Sequence, residues 1–457
     1  MAKLVLKEYQ KEICDWICKS ERSAIFASMG SGKTVSTLMA LEKLNLVEQI
    51  YPVLVLAPLR VAKTTWPEEV KKWDVLQHLD VTVITGDVAN RNKAVLIDSQ
   101  IYTTNYENLP WLVAHFGKDW PFKTVVCDES TRLKGFRLRQ GSARAKALAK
   151  VAHTKVERIV LLTGTPASNG IKDLWGQLWF VDEGKRLGKS YTKFTDTWFT
   201  TDYSGFNLLI KQGAQEEIQE LIKDICLTIK VEDWLPIGTP IANKILLTMP
   251  AKANSLYKKM EKEMFTQLET GDIEVFSRGA ADMKCAQIAN GAVYLEDKKW
   301  EGVHDEKLDA LESVIEEANG VPILVAYRFN SDLARLQKAF PQGRALDANP
   351  NTIKEWNARE IPILFIHPKA GGIGLNLADG SNILVFFSID WNLEDHAQTI
   401  ERIGCMRQMQ AGLGRPVFLH YLLMKDTIDE TIMERLETKK TVQDVLLDAM
   451  KRHRSKI

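Results

Sequence analysis

Little in the composition announces a partner. Sixty Lys and Arg stand against 59 Asp and Glu in 457 residues, a formal charge of +1. No global basic field points to nucleic acid or an acidic membrane, so any polyanion site must be a local groove. Cysteine is scarce: of six, only Cys14 and Cys18 are close, at helical i,i+4 spacing and without a second pair. That pattern reads as reduced structural thiols and not as a disulfide scaffold or zinc ribbon. The eight histidines form no HExxH or Cys/His cluster, so no catalytic zinc is indicated. No apolar stretch approaches the ~18 residues of a membrane span. The opening MAKLVLKEYQ turns charged too early for a signal peptide. The expectation is a soluble, non-exported, cytoplasmic chain. Low-complexity runs and short repeats are also missing.

What is present is ordinary globular usage, 45% hydrophobic and 26% charged, in a length that accommodates about two to four domains. Residues 1–180 alternate short apolar runs with helical stretches. The runs are Ala24–Ala27, Val53–Ala57, Val81–Thr85, Ile101–Thr103, Thr124–Cys127 and Ile159–Leu162. This rhythm predicts a parallel α/β sheet. Residues 181–304 hold only Lys244–Thr248 as a comparable run and carry helical patterns at Gln215–Ile222 and Ala253–Leu268, so a mainly helical insertion and interlobe linker is expected. The rhythm returns over residues 305–440, with strand candidates Pro322–Tyr327, Ile361–Ile366, Asn382–Phe387 and Val417–Tyr421. A helix over Asp429–Met450 and a basic tail are expected to close the chain, with residues 441–457 set apart as the helix end and tail. The loop Trp234–Pro240 is the expected boundary between the two α/β lobes, because its prolines and glycine can continue neither a helix nor a central strand.

The strongest local signal is Ala27-Ser-Met-Gly30-Ser31-Gly32-Lys33-Thr34, between the apolar run Ser23–Phe26 and the helical segment Val35–Leu44. Strand, glycine loop and helix occur in the order a phosphate site requires. Gly30, Ser31 and Gly32 turn backbone N–H groups inward, Lys33 reaches the β/γ phosphates, and the Thr34 hydroxyl ligates Mg²⁺. Ala27 replaces the first glycine of the general pattern. About 95 residues after Lys33, an apolar run ends in Asp128-Glu129. Asp128 is the expected second Mg²⁺ ligand and Glu129 the group that orients or deprotonates the attacking water.

These pieces and those that follow resemble the superfamily-two helicase-like ATPases, and among them the Swi/Snf-type DNA translocases. Leu6-Lys-Glu-Tyr9-Gln10 is similar to the family's adenine-reading motif, which assigns Gln10 to the base. Pro58-Leu-Arg60 with Trp66-Pro-Glu-Glu, and Tyr102-Thr-Thr104-Asn105, resemble its nucleic-acid-facing segments; Arg60, Thr104 and Asn105 are the implied phosphate contacts. Arg132-Leu-Lys134 after Asp128-Glu129 is similar to Swi/Snf proteins, although Thr131 stands where the family has histidine. Thr163-Gly164-Thr165-Pro matches the motif implied to couple the γ-phosphate site to the interlobe cleft. Gly371, Gly372 and Asn376 match the motif of the second lobe that approaches phosphates, and Asp390-Trp391-Asn392 follows at the family position, with Trp391 as a further nucleic-acid contact.

The departure lies in the last motif, where the family has two arginines three residues apart. Gln398 and Arg402 keep the first spacing, but Cys405 occupies the second arginine position and Arg407-Gln-Met-Gln410 comes two residues late. A two-residue insertion rotates a regular helix by roughly 200°. A break at Gly404 is therefore expected, through backbone angles other residues avoid, with Arg402 and Arg407 as the arginine fingers. Six aromatics with lysines in the middle region, among them Tyr191, Phe194, Trp198, Phe199, Tyr203 and Phe206, read as core first and as a base-stacking surface second.

The resemblance implies two RecA-like parallel-sheet lobes and a DNA-stimulated ATPase using ATP and Mg²⁺. Duplex DNA is the expected track, with single-stranded DNA or RNA and strand separation as alternatives. The expected setting is replication, recombination or repair, in a host cytoplasm if a phage encodes the chain. The competing reading is a nucleotide-gated, partner-recruiting or DNA-binding clamp with negligible hydrolysis.

Overall fold

In the computed structural model, which describes residues 3–28, 30–201, 208–235, 237–269, 275–295, 299–369 and 375–454, the expected alternation becomes two parallel sheets. The chain divides into two compact units, Met1–Pro236 with Lys439–Ile457, and Ile237–Gly371 with Leu375–Thr438.

The first unit carries β1 (Arg22–Ala27), β2 (Val53–Ala57), β3 (Val81–Ile84), β4 (Ile101–Asn105), β5 (Thr124–Asp128), β6 (Arg158–Thr163), the short β7 (Phe199–Thr201) and β8 (Leu208–Ile210), and β9 (Cys226–Ile229). Seven of them pair in the order β3-β4-β2-β5-β6-β1-β9, every neighbour parallel. Their runs of Val, Ile, Leu and Ala are buried along nearly the whole length, as expected of strands covered by helices on both faces. On one face Phe26, Leu54, Val125 and Leu161 pack with Trp175, Trp179 and Phe180 of helix Asp173–Asp182. Parallel pairing brings the C-terminal ends of the strands to one edge, and there the loops that follow β1, β6 and β5 lie side by side.

The second unit carries β10 (Ile241–Leu247), the antiparallel pair β11 (Ala292–Tyr294) and β12 (Trp300–Gly302), then β13 (Ile323–Ala326), β14 (Gly343–Ala345), β15 (Ile363–Ile366), β16 (Ile383–Phe386) and β17 (Phe418–Met424). Six of these form the second parallel sheet, ordered β10-β17-β16-β13-β15-β14. Its interior holds an ion pair with no solvent access: Lys307 donates to Asp429 Oδ2 and to Asn290 Oδ1, both at 2.7 Å. Asn290 in turn donates to Asp332, which accepts from the Phe329 N–H and the Ser388 hydroxyl.

Two expectations change, and the first reading of the middle aromatics holds. The middle region is less helical than its pattern predicts. Cys226–Ile229 pairs with β1 in the first sheet, and the Lys244–Thr248 run belongs to a longer strand, Ile241–Leu247, in the second. A four-residue buried strand has too few residues to declare its period. Phe194, Trp198 and Phe199 are buried in the first core, and the Arg137 guanidinium lies 3.3 Å from the Tyr191 ring centroid, so these aromatics are packing and not a base platform. Tyr203 and Phe206 lie outside the described residues. The closing helix runs Ile428–Arg454 and takes in the start of the basic tail. No described helix is long and apolar enough to cross a membrane.

Candidate functional site

The loop after β1 is shaped by two glycines in the left-handed region, Gly30 at φ 74° and Gly32 at φ 80°. Gly32 is the N-cap of helix Lys33–Asn45 and supplies no side-chain cap, so the first N–H groups of that helix are left to an external acceptor. The left-handed backbone at Gly32 is what requires glycine there, and a Cβ would also displace the Gln10 amide, whose Nε2 lies 2.2 Å from its position. Gln10 donates from Nε2 to the Ser31 carbonyl at 3.1 Å and accepts the Lys7 N–H at 2.9 Å. The expected base reader is thus fastened to the phosphate loop. Lys33 Nζ folds back onto the carbonyls of Ala27 and Ser28, at 2.8 and 3.2 Å, and Thr34 is the next residue of the helix. The Ser31 hydroxyl is buried and finds no hydrogen-bond partner among the described residues.

Across β6, the end of β5 presents Asp128 and Glu129. Asp128 accepts the Glu129 N–H on Oδ1 at 3.1 Å and the Trp66 indole N–H on Oδ2 at 3.0 Å. Burial pushes its carboxyl above the ordinary range, opposed by the Trp66 hydrogen bond and the charge of Lys33. Glu129 has φ 55° and ψ 59°, a left-handed conformation rare for a residue with a side chain. Such strain persists where the surrounding structure holds it, and functional positions are where it concentrates. The Thr163 hydroxyl reaches Glu129 Oε2 at 3.5 Å and accepts the Thr165 N–H at 3.1 Å, so the loop after β6 touches the carboxylate directly, with Gly164 between the two threonines.

A residue outside every motif completes this side. Gln177, fully buried on helix Asp173–Asp182, accepts the Ser130 hydroxyl at 2.9 Å and donates to the Pro166 carbonyl at 2.7 Å. It ties the loop after β5 to the loop after β6. Lys134 does the same from the Arg-Leu-Lys segment, donating to Ser168 at 2.8 Å. The residue at the family's histidine position, Thr131, is buried beside this link. Only its polar character in an apolar helix would have marked Gln177 in the sequence.

The donor set fits a nucleotide with Mg²⁺: an uncapped helix N-terminus, a lysine ammonium, an orphaned buried hydroxyl, the Thr34 hydroxyl and a buried carboxylate. These groups come from residues of one unit.

The nucleic-acid expectations fare unevenly. Arg60 is half-buried at the start of a π-helical turn, Val61–Thr65, and its guanidinium is held below its ordinary pKa by burial. Thr104 is a correction: it is fully buried and its hydroxyl donates to the Ile84 carbonyl at 2.6 Å, so its side chain serves the fold. Asn105 is also buried, donating to Glu107 and accepting from Asn108. In the second unit Asn376 is exposed, with Oδ1 accepting the Ala378 N–H, and Trp391 is half-buried against the core. Gly371 and Gly372 lie outside the described residues.

The expected helix break is present. One helix ends at Glu401 and the next spans Cys405–Gln410 with Gly404 as its N-cap. The reason differs from the expected one, since Gly404 has φ −56° and ψ 161°, angles open to any residue. Glycine relieves crowding instead: a Cβ would lie 3.2 Å from Glu401 Cα and 3.3 Å from its carboxylate oxygens. Arg402 is 2% exposed and donates from Nη2 to the Pro368 carbonyl at 2.9 Å, while its own carbonyl accepts the Leu377 N–H. It therefore ties Pro368 to Leu377. Arg407 is half-buried; its Nε has no hydrogen-bond partner among the described residues, and burial holds its guanidinium below the ordinary range.

The family model described as the SNF2-related domain matches residues 9–293. The putative protein p41 of Acyrthosiphon pisum secondary endosymbiont phage 1 is 49% identical over 98% of this chain and 98% of its own length. Human chromodomain-helicase-DNA-binding protein 1 is 25% identical over 98% of this chain, which spans only 27% of that protein. A mouse SWI/SNF-related regulator of chromatin, subfamily A member 1, is 25% identical over 97% of this chain and 43% of its own. Among solved structures, a Sulfolobus solfataricus SWI2/SNF2 ATPase core in complex with dsDNA aligns over 98% of this chain and 94% of that one, with 22% identity and a TM-score of 0.46. With its family model covering more than half of the residues and a phage relative matching it along almost all of its length, the chain belongs to the SNF2-related domain family, the Swi/Snf-type ATPases of superfamily two.

Proposed function

We propose that this chain is an ATP-driven motor whose track is duplex DNA, acting in replication, recombination or repair. The observation that carries the reading is the strained Glu129, set beside Asp128 and touched by Thr163 at the edge where the phosphate loop also ends. Arg-Leu-Lys after Asp128-Glu129 and the DNA-binding relatives support duplex DNA over RNA. The phage relative of matching length supports a setting in a host cytoplasm.

In this reading Lys33 leaves the Ala27 and Ser28 carbonyls for the β/γ phosphates, and the N–H groups from Gly30 to Thr34 take the remaining phosphate oxygens. Thr34 and Asp128 hold Mg²⁺, which when bound neutralises charge on the phosphates. Glu129 orients the attacking water and accepts its proton, and Thr163 keeps its carboxylate in place. Gln10 turns from Ser31 to the adenine edge. Arg407 is assigned as the finger, with Arg402 holding Pro368 and Leu377 together. Arg60, Asn376 and Trp391 are assigned to the track.

The test is steady-state ATP hydrolysis at one fixed low salt with no nucleic acid, duplex DNA, single-stranded DNA and RNA, using Glu129→Gln as the blank. Salt is fixed because phosphate contacts weaken steeply as it rises. Stimulation by duplex DNA is expected. Turnover no higher than the blank under all four conditions would favour the clamp, a reading that the inward-turned Arg402 and the cysteine at position 405 keep in play.

A further inference from the structure

Asp128 is gripped by two rings to which the motifs assign no task. The Trp66 indole donates to its carboxylate at 3.0 Å, and the Tyr106 hydroxyl donates to its main-chain carbonyl at 2.9 Å. Both rings are sealed from solvent, at 0% and 1% exposure. Topology explains their arrival: β4, β2 and β5 are successive neighbours, so the segments leaving β2 and β4 emerge on the same edge as Asp128. Tyr106 directly follows Asn105. Trp66 opens the helix that continues from the π-helical turn Val61–Thr65, which begins next to Arg60. Within that turn the Thr64 hydroxyl donates to the Arg60 carbonyl at 2.9 Å, and Thr103 of β4 donates to the Ala62 carbonyl at 2.7 Å. The stretch from Arg60 to the Asp128 carboxylate is therefore a short bonded path, and π turns recur where helices serve a site.

We propose that Trp66 is a positioning residue for the metal-binding carboxylate, seconded by Tyr106, and that through it a DNA phosphate bound at Arg60 changes how tightly Asp128 holds Mg²⁺. The inference rests on the ATPase reading above. The indole N–H holds Oδ2 while the Glu129 N–H holds Oδ1, and together they fix the plane in which the carboxylate presents its remaining lone pairs. Partners that orient a metal-binding group in this way typically change metal affinity about 10–100-fold when removed.

Trp66→Phe deletes the N–H and keeps a ring; Tyr106→Phe deletes one hydroxyl. The measurement is binding of a fluorescent ATP analogue in EDTA and across a Mg²⁺ titration, with and without duplex DNA, together with thermal melting. In Trp66→Phe the metal-free nucleotide affinity should stay at the parent value while the half-saturating Mg²⁺ concentration rises about tenfold or more. The shift that duplex DNA produces in the parent's Mg²⁺ midpoint should disappear. Tyr106→Phe should move the midpoint less, in the same direction, with melting near the parent, and it decides the matter if Trp66→Phe does not fold. A purely structural role would instead lower melting and weaken nucleotide binding equally with and without Mg²⁺, and that result overturns the inference. So do Mg²⁺ midpoints within about twofold of the parent in both variants. A parent that binds no nucleotide overturns the site reading and this inference with it; a parent that binds normally beside unmoved variants overturns the inference alone.

Discussion

The two units hold their charged residues in opposite ways. In the first, Lys33, Asp128 and Glu129 stand at the ends of near-neighbour parallel strands and their loops, each fastened by short bonds to backbone or to a neighbour in the same site. In the second, Arg402 and Arg407 flank a helix break, one turned onto the Pro368 carbonyl and the other with no hydrogen-bond partner at Nε among the described residues. Strand ends inherit their position from parallel register, which pairs Asp128 with Leu162 and Phe26 with Thr163. An arginine's direction depends on helix phase, which two extra residues turn by roughly 200°. A phosphate site can therefore be built robustly from sheet topology, while the direction of an arginine beside a helix break is set by that one local break.

The largest effect should come from breaking the second half of that contrast. Arg407→Ala is expected to lower kcat about 10³–10⁵-fold, the range of an arginine finger, with little change in melting, as read by steady-state hydrolysis beside a thermal scan. Arg402→Ala should lower melting as well as activity. The reverse pattern would transfer the finger to Arg402, and a large gain in Cys405→Arg would show that the break leaves the site incomplete.

Next in size is the first half. Glu129→Gln should keep nucleotide binding and lose about 10²–10⁴ in turnover. Lys33→Ala should lose binding itself, measured by fluorescence titration. Normal turnover in Glu129→Gln would sink the assignment.

Stability of the second unit offers two smaller tests. Lys307→Met leaves Asp429 buried and unpaired, which should cost about 3–5 kcal/mol in urea unfolding. Melting close to the parent's would show that the pair is expendable. His304 is buried, its Nε2 facing the Ile288 carbonyl at 2.9 Å, and burial lowers its pKa to about 4. The unfolded chain takes up this proton near pH 6.5 and the folded unit does not until about pH 4, so the contribution is complete above 6.5 and is lost as pH falls through that window. The loss should approach about 3 kcal/mol at pH 4. Unfolding curves of His304→Asn should be flatter over the same range; an unchanged slope would assign the pH dependence to other groups.

Much of the site could be read without coordinates because its chemistry is local. A glycine loop between a strand and a helix, and a carboxylate pair closing an apolar run, are short patterns whose residues do their work within a few positions of one another. All ten apolar runs named as strands in the two α/β stretches are strands, with ends displaced by at most a few residues. Thr104 misled because a hydroxyl at a strand end looks the same whether it faces solvent or, as here, the Ile84 carbonyl. Gln177 and Trp66 went unassigned because their partners lie 47 and 62 residues away in the chain.

By itself, then, the sequence determined the parallel α/β class, the phosphate loop, the Asp-Glu pair and the need for a break near Gly404, since strand propensity, glycine freedom and helix periodicity act over a few residues. Only the tertiary structure decided which strands are neighbours, and with that the indole on Asp128, the glutamine between Ser130 and Pro166, and the inward turn of Arg402. Those are contacts between distant segments, and a hydrogen bond across a sheet edge exists only once pairing order has brought both ends to the same place.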